Sequence, residues 1–203
     1  MRSFATLLIA ASLTLAHGAA LAQSSSTNEA ANANPPAASA CPTVLQHTVL
    51  RLQDEKPQPL CQYAGQVVLV VNTASYCGFT PQYADLEKLY AQFKGRGLVV
   101  LGFPSNDFAQ EPGANDKIAD FCENTYGVKF PMFTKTSVRG DSASPLFKQL
   151  TQRSGTSPKW NFYKYLINRD GSQVLAFSSM TNPGDARLVQ AVEQFLKQTP
   201  KGR

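Results

Sequence analysis

The chain has 203 residues, of which 43% are hydrophobic and 16% are charged, and its formal net charge at pH 7 is +5. This composition is ordinary for a soluble globular protein, and the length suits one domain with appendages. Lysines and arginines are scattered among acidic residues and form no basic stripe, so we expect no nucleic-acid partner.

The first 22 residues have the layout of a secretory signal peptide. One early positive charge precedes an apolar stretch over residues 4–15, and a small-x-small triplet ends at Ala22. The apolar stretch is shorter than the ~20 residues that a membrane anchor needs. The nearest cysteine, Cys41, is too far downstream for a lipoprotein. The sequence therefore predicts cleavage after Ala22, no membrane anchor, and export to the bacterial periplasm.

Residues 23–40 are dominated by Ser, Ala, Asn and Pro and contain almost no large apolar side chain. Such a segment cannot bury enough surface to offset the entropy lost on ordering, so we predict a disordered linker. The folded domain is then expected over residues 41–203, and it opens with a predicted hairpin within residues 43–60. Its cysteines are Cys41, Cys61, Cys77 and Cys122.

The next segment predicts a βαβ unit. A continuous β-branched run at residues 67–71 is typical of a strand buried on both faces. Thr80 and Pro81 have the residue types of a helix N-cap and first helical position, and apolar residues then recur at helical spacing until near Gly95. Residues 98–103 predict a second buried strand. A strand, a helix and a strand in this order indicate a right-handed parallel unit.

The second half of the domain alternates helices with extended segments. Its predicted helices and strands cover about residues 116–126, 144–155, 161–168, 173–178 and 183–197. Asn115 or Asp116 is the expected cap of the first of these helices, residues 130–138 are expected to be extended, and Asp170-Gly171 predicts a hairpin turn. This order predicts an α/β, thioredoxin-like fold with a central mixed β-sheet flanked by helices and an N-terminal β-hairpin extension.

Cys77 follows the first buried strand and stands just before the predicted helix. Reactive groups of open α/β sheets gather at the carboxyl ends of strands, and a helix N-terminus favours a thiolate. A small core residue is the competing interpretation, and four cysteines also permit two disulfides in three connectivities. His47 is the only histidine of the domain, and there is no C-x-x-C or H-x-x-x-H pair. We therefore expect no metal and no cofactor.

Four segments of the chain resemble the glutathione peroxidase family in its cysteine-containing, non-selenium form. They read VVNTASYCGFTPQY, LVVLGFPSNDFAQEPG, FCENTYGVKFPMF and KWNFYKYLINRDG, in the family's order. The resemblance extends from about Val49 to Lys197. It implies a thioredoxin-like domain that reduces hydroperoxides.

The resemblance assigns the family's catalytic tetrad to Cys77, Gln110, Trp160 and Asn161. Cys77 matches the peroxidatic residue that attacks the O–O bond of a hydroperoxide. Amide and indole N–H groups can donate to sulfur and to a peroxide oxygen, and such donors stabilise charge on the leaving group without a histidine. Taken singly, Trp160 fits a core position, Asn161 a strand cap and Gln110 an ordinary loop. Together with Cys77 they favour the catalytic interpretation.

Two departures from the family pattern affect these assignments. The family loop reads Cys-Asn-Gln-Phe with two residues before Gln-Glu, whereas residues 105–108 here read Ser-Asn-Asp-Phe and only Ala109 precedes Gln110. The alignment of Gln110 depends on the Glu-Pro-Gly that follows it. The segment before Trp160 lacks the insertion that builds subunit contacts in tetrameric members, so the resemblance implies a monomer, or at most a weak dimer.

Cys122 matches the resolving cysteine of family members that thioredoxin-like proteins reduce. The resemblance therefore implies that Cys122 condenses with the sulfenic acid of Cys77. Its helix must first loosen, because a disulfide needs Cα atoms about 5.5–6 Å apart; a buried helical cysteine is the alternative. Cys41 and Cys61 lie outside the four motifs and flank the predicted hairpin, which suggests a structural disulfide in an exported protein.

These features predict a thiol peroxidase for hydrogen peroxide and organic hydroperoxides, with a thioredoxin-like protein or glutathione as its reductant. One competing hypothesis is a non-catalytic peroxide sensor or disulfide relay that uses the Cys77–Cys122 pair. Another is a binding module that kept the fold and lost the chemistry, but the retained tetrad residue types argue against it. A peroxiredoxin is disfavoured because no suitably placed proline precedes Cys77.

Overall fold

The described part of the chain is residues 40–199 of a computed structural model. The predicted signal peptide and residues 23–39 of the predicted linker lie outside the described residues. The strands are β1 (Thr48–Leu50), β2 (Pro57–Pro59), β3 (Val67–Thr73), β4 (Leu98–Pro104), β5 (Lys164–Ile167) and β6 (Val174–Phe177). The α-helices are α1 (Gln82–Phe93), α2 (Asn115–Tyr126), α3 (Pro145–Ser154) and α4 (Ala186–Lys197).

A four-stranded mixed sheet with the order β4-β3-β5-β6 forms the centre of the domain. Strands β3 and β4 are parallel along their full length, and α1 connects them as the predicted βαβ unit requires. Strand β5 is antiparallel to β3, and β6 is antiparallel to β5. Strands β1 and β2 pair separately as an N-terminal hairpin. The predicted α/β, thioredoxin-like fold with its hairpin extension is therefore confirmed.

Both faces of β3 and β4 are covered, and all seven residues of each strand are buried. Leu69 and Val71 belong to a core that also contains residues of α1 and α4. Val68 and Val70 belong to a second core that contains residues of α3. Because β3 is packed on both faces, it holds the start of the loop that follows its carboxyl end in a fixed position.

Residues 130–138 are extended but form no regular strand. Met132 bridges Gly102 and Phe133 bridges Arg51, each as an isolated pair. Gly102 permits this close approach, since a Cβ atom built on it would lie 2.2 Å from Sδ of Met132. The segment therefore packs beside β4 without extending the sheet.

Three helix starts differ from the sequence prediction. The hydroxyl of Thr80, the predicted cap of α1, bonds within the preceding loop, and the helix begins at Gln82. Helix α2 has Ala114 at its N-cap, because the side chain of Asn115 bonds to groups outside the helix. Helix α4 begins only after Asp185, whose carboxylate accepts a backbone N–H of the first turn.

The N-terminal extension packs on the core that contains α3 residues. A disulfide joins Cys41 to Cys61, with the Cα atoms 5.2 Å apart, and it encloses the β1–β2 hairpin. Val44 and Leu45 are buried in the second core. The disulfide thus closes a loop whose apolar residues contribute to the domain. Within residues 40–199, no helix combines the length and apolar character needed to cross a membrane.

Candidate active site

Cys77 lies in the loop of residues 74–81 between β3 and α1, here called the cysteine loop. Its side chain is nearly buried, and its Sγ accepts a hydrogen bond from the backbone N–H of Phe79 at 3.4 Å. Thr80 closes the loop, because its Oγ1 accepts the N–H of Cys77 and donates to the carbonyl of Ala74, both at 3.0 Å. The sulfur is therefore fixed at the carboxyl end of the central strand with a backbone donor facing it.

Gln110 is held beside the cysteine loop by its own backbone. Its carbonyl accepts the N–H of Tyr76 at 3.1 Å. The preceding turn is tight, since Asn106 bonds the N–H groups of both Ala109 and Glu111 at 2.9 Å. Ala109 has a left-handed φ of 56°. This turn closes the shortened loop that the sequence shows, and it leaves Gln110 next to the cysteine loop.

Asn161 and Gln110 form a hydrogen-bonded amide pair. Asn161 is fully buried, and its Nδ2 donates to Oε1 of Gln110 at 2.8 Å. Trp160 is 41% exposed, and its ring packs on Phe108 with 5.3 Å between centroids. Among the described residues, nothing accepts a hydrogen bond from the Trp160 indole N–H, and only Phe79 bonds to the cysteine sulfur. The structure thus pairs the two amides and does not bond either amide or the indole to the sulfur.

Asn72, which the sequence analysis missed, holds the segment that carries Trp160. Its side-chain amide donates to the carbonyl of Trp160 and accepts the N–H of Tyr163, both at 3.1 Å. The backbone of Asn72 also bonds the N–H of Phe162 and the carbonyl of Tyr163, and regular β5 begins only at Lys164, later than predicted. A polar asparagine directly after the apolar run of residues 67–71 was the signal that could have identified it.

Buried polar atoms without a hydrogen-bond partner gather around the same end of the sheet. Within the described residues they are Thr73 Oγ1, Gln82 Oε1, Glu111 Oε1, Asn161 Oδ1 and Ser179 Oγ. They come from the end of β3, the first turn of α1, and the loops that adjoin β4, β5 and β6. Because buried polar groups are normally paired, this concentration indicates a functional site.

Two buried ionisable groups lie at this end of the sheet, and the sequence analysis did not single them out. Glu111 accepts a hydrogen bond from Ser75 Oγ at 2.9 Å through Oε2, and burial raises the pKa of its carboxyl. Lys164 is fully buried and donates from Nζ to the carbonyl of Phe162 at 2.7 Å. Burial lowers the pKa of Lys164 to about 7. Residues 40–199 contain no cluster of three or more His, Cys, Asp or Glu residues suited to holding a metal ion.

Cys122 lies in α2 and is buried against Tyr83. Its Sγ donates to the hydroxyl of Tyr83 at 3.4 Å. Burial raises the pKa of the Cys122 thiol to about 11, so the group is protonated at neutral pH. Cys77 and Cys122 belong to the same core but are both free thiols. The structure therefore does not join the two cysteines, and Cys122 is part of the packing of α2.

This site defines a class of protein: a thioredoxin-like domain with a buried free thiol at the carboxyl end of its central strand and a hydrogen-bonded amide pair held against the loop that carries the thiol. The comparison with protein-family models identifies the family within this class. The family model described as glutathione peroxidase matches residues 44–151. The chain belongs to the glutathione peroxidase family.

Individual relatives agree with this placement. The glutathione peroxidase homolog BsaA of Halalkalibacterium halodurans is 49% identical over 151 residues, which cover 72% of this chain and 95% of the relative. The hydroperoxy fatty acid reductase gpx1 of Synechocystis is 47% identical over 143 residues, covering 65% and 85% respectively. The apo crystal structure of Trgpx superposes with a TM-score of 0.62 at 36% identity, covering 79% of this chain and 99% of that one.

Proposed function

We propose that this chain, a thiol peroxidase by its family, reduces hydroperoxides through nucleophilic attack by Cys77. The observation that carries this assignment is the hydrogen-bonded connection from the cysteine loop through Gln110 to Asn161. It holds the amide pair against the loop that carries Cys77, whose sulfur already accepts a backbone N–H. Such fixed donors lower the free energy of a transition state in which negative charge moves from sulfur to oxygen.

The first step converts Cys–SH and ROOH into Cys–SOH and ROH. The sulfur of Cys77 attacks the terminal peroxide oxygen, the O–O bond breaks, and the departing alkoxide receives the proton that the thiol has lost. The Asn161 bond occupies Oε1 of Gln110, so Nε2 of Gln110 remains the donor of that amide. Together with the free indole N–H of Trp160, this donor is available to the developing oxyanion.

In the second step Cys122 resolves the oxidised nucleophile. Cys77–SOH and Cys122–SH form a disulfide and release water. Cys122 must first leave Tyr83, because its thiol is buried and protonated in the resting structure. A thioredoxin-type dithiol protein then reduces the disulfide and becomes oxidised itself. Glutathione is the second candidate reductant.

The substrate range extends to organic hydroperoxides, and the mature protein acts as a periplasmic monomer. The name of the Synechocystis relative, a hydroperoxy fatty acid reductase, supports the substrate range. The signal-like first 22 residues and the Cys41–Cys61 disulfide support an oxidising compartment outside the cytoplasm.

Steady-state assays with thioredoxin, its reductase and NADPH test the mechanism. Cys77→Ser should abolish hydroperoxide consumption. Cys122→Ser should allow one stoichiometric turnover, seen as a sulfenic acid by mass spectrometry, and should block the thioredoxin-dependent cycle. The double variant Cys41→Ser/Cys61→Ser serves as the cysteine-loss control and should keep cycling. Full turnover by the Cys77→Ser protein would overturn the proposal.

A further inference from the structure

The indole of Trp160 depends on one neighbouring ring for its orientation. Its side chain is exposed, while its backbone carbonyl is held by the side chain of Asn72. Within residues 40–199, the one aromatic ring that packs against the indole is that of Phe108, with 5.3 Å between the ring centroids. A bond to the backbone does not fix the rotation of a side chain about its χ angles. The direction of the indole N–H therefore depends on the contact with Phe108.

Phe108 is itself anchored in the domain. Only 7% of it is exposed, and it belongs to the core that contains α3 residues. The carboxylate of Asp107, the residue before it, accepts the backbone N–H of Val138 at 2.6 Å and that of Arg139 at 3.1 Å. The loop of residues 105–111 is thus tied to a second segment, which contains none of the tetrad residues.

Arg139 contacts the Phe108 ring from this second segment. Its guanidinium carbon lies over the ring, 4.5 Å from the centroid, which is within cation–π distance. The same guanidinium donates to the backbone carbonyl of Asp107 at 2.8 Å, so two contacts hold it in place. A carbonyl does not neutralise the positive charge, and the cation can still attract the ring face. A series of contacts therefore runs from the exposed Arg139 through Phe108 to Trp160.

We propose that Arg139 is a positioning residue for hydroperoxide reduction, because it holds Phe108 against Trp160 and so orients the indole. This role rests on the proposed function, in which the indole N–H is a donor to the developing oxyanion. A donor that is already oriented stabilises the transition state without reorganisation at the moment of reaction. An indole that rotates freely is correctly placed only part of the time. Loss of the Arg139 charge should therefore slow the oxidation of Cys77.

Quenched-flow mass spectrometry of Cys77 oxidation by hydrogen peroxide, with no reductant present, tests this role. Arg139→Gln removes the charge and should lower the second-order rate constant about threefold, the size of one exposed cation–π contact. Arg139→Lys keeps a cation and should recover most of the rate. In a Trp160→Phe background, which lacks the indole N–H, Arg139→Gln should have no further effect. Arg96→Gln is the matched control, because Arg96 lies over the ring of Phe93 at 5.1 Å, away from the tetrad, and it should leave the rate unchanged.

Intrinsic fluorescence reports on the orientation of this indole alone, because Trp160 is the only tryptophan of the chain. Time-resolved anisotropy should show a larger amplitude of fast ring motion in Arg139→Gln than in the wild type. Arg139→Lys and Arg96→Gln should resemble the wild type. A variant that only lowered the stability of the fold would change urea unfolding without this signature.

Three results would overturn the inference and leave the proposed function intact. Unchanged anisotropy in Arg139→Gln would show that Arg139 does not hold the indole. Greater ring motion without a loss of rate, or an unchanged rate in Trp160→Phe itself, would show that the reaction does not use the orientation of the indole. An equal loss of rate in the Trp160→Phe background would assign the effect to the loop of residues 105–111 instead. Failure of the wild type to oxidise Cys77 with hydrogen peroxide would overturn the proposed function itself.

Discussion

Burial governs the chemistry of individual side chains at the active-site end of the sheet. It keeps Cys122 a neutral thiol and brings the pKa of Lys164 down to about 7. Cys122 has the hydroxyl of Tyr83 as partner, whereas the polar contact of Lys164 is a single backbone carbonyl. A carbonyl compensates only part of the cost of burying an ammonium group. Lys164 should therefore destabilise the fold wherever it is charged.

Replacement of Lys164 by Met should raise the free energy of unfolding at pH 6, in a pH-dependent way. In the unfolded chain Lys164 binds its proton below its ordinary pKa of 10.5, but in the folded protein only below about 7. The unfolded state thus holds one more proton between these values, so wild-type stability rises with pH there. The advantage of Lys164→Met should shrink by up to about 1.4 kcal/mol per pH unit across that window.

Urea unfolding from pH 6 to pH 10 measures this difference directly. Lys148→Met is the matched control, because Lys148 is an exposed lysine of α3. Its effect on the free energy of unfolding should be small, because the Lys148 side chain is exposed. Parallel stability curves for Lys164→Met and the wild type would contradict the assigned pKa.

At the residue scale, the sequence could predict the role of a residue when that role depends on its neighbours along the chain. Cys77 stands out because a strand precedes it and a helix follows it. Asn72 and Glu111 could not be assigned in the same way, since their roles depend on partners far away in the chain. Asn72 holds Trp160 across 88 positions, and Glu111 bonds Ser75 across 36. Sequence spacing carries no information about which distant segments a fold brings together.

At the element scale, the core strands and helices follow their apolar patterns, while their ends are decided by tertiary bonds. Strand β3 is buried throughout, as its continuous β-branched run indicates. The predicted start of α1 was wrong because the hydroxyl of Thr80 forms its hydrogen bonds within the cysteine loop and does not cap the helix. The predicted start of β5 was too early, and the residues before the strand bond both the side chain and the backbone of Asn72. Both differences from the prediction lie at the candidate active site, where the requirements of a site can override local secondary-structure propensity.

The N-terminal extension is an element whose stability contribution can be separated from catalysis. The two cysteines of the disulfide are separated by 20 positions in the sequence. A disulfide that closes a loop of this size stabilises the folded state by about 3 kcal/mol. Cys41→Ser/Cys61→Ser should therefore lower the free energy of unfolding by about 3 kcal/mol in urea titrations. The rate of Cys77 oxidation should stay the same, because the extension contributes no residue to the active site.

Dithiothreitol provides the internal control for this prediction. It should lower the stability of the wild type to that of the double variant and leave the double variant unchanged. Equal stabilities of the oxidised wild type and the double variant would show that the extension is held by its packing alone.

Over the described domain, stability is distributed unevenly in a way that suits a redox cycle. Helix α2 buries only Ile118 and Cys122, and no side chain caps its first turn. Helix α4 buries five residues and is capped by Asp185. The element with the fewest buried contacts is the one that opens at the lowest free-energy cost. The proposed resolving cysteine therefore lies on the helix best able to release it, while β3 holds Cys77, the proposed nucleophile, in place.

Oxidation by one equivalent of hydroperoxide should thus open α2 and leave the rest of the domain folded. We expect a Cys77–Cys122 disulfide by peptide mapping, with an intact Cys41–Cys61 bond. Hydrogen exchange over residues 115–126 should become at least about tenfold faster than in the reduced protein, because the disulfide pulls Cys122 away from Tyr83. Exchange in α4 should not change. Cys122→Ser separates the effect of Cys77 oxidation from the effect of the disulfide. In this variant α2 should stay protected when Cys77 is oxidised. Equal protection of α2 in the reduced and disulfide forms would contradict the opening, since the resting structure holds Cys122 in the packed helix.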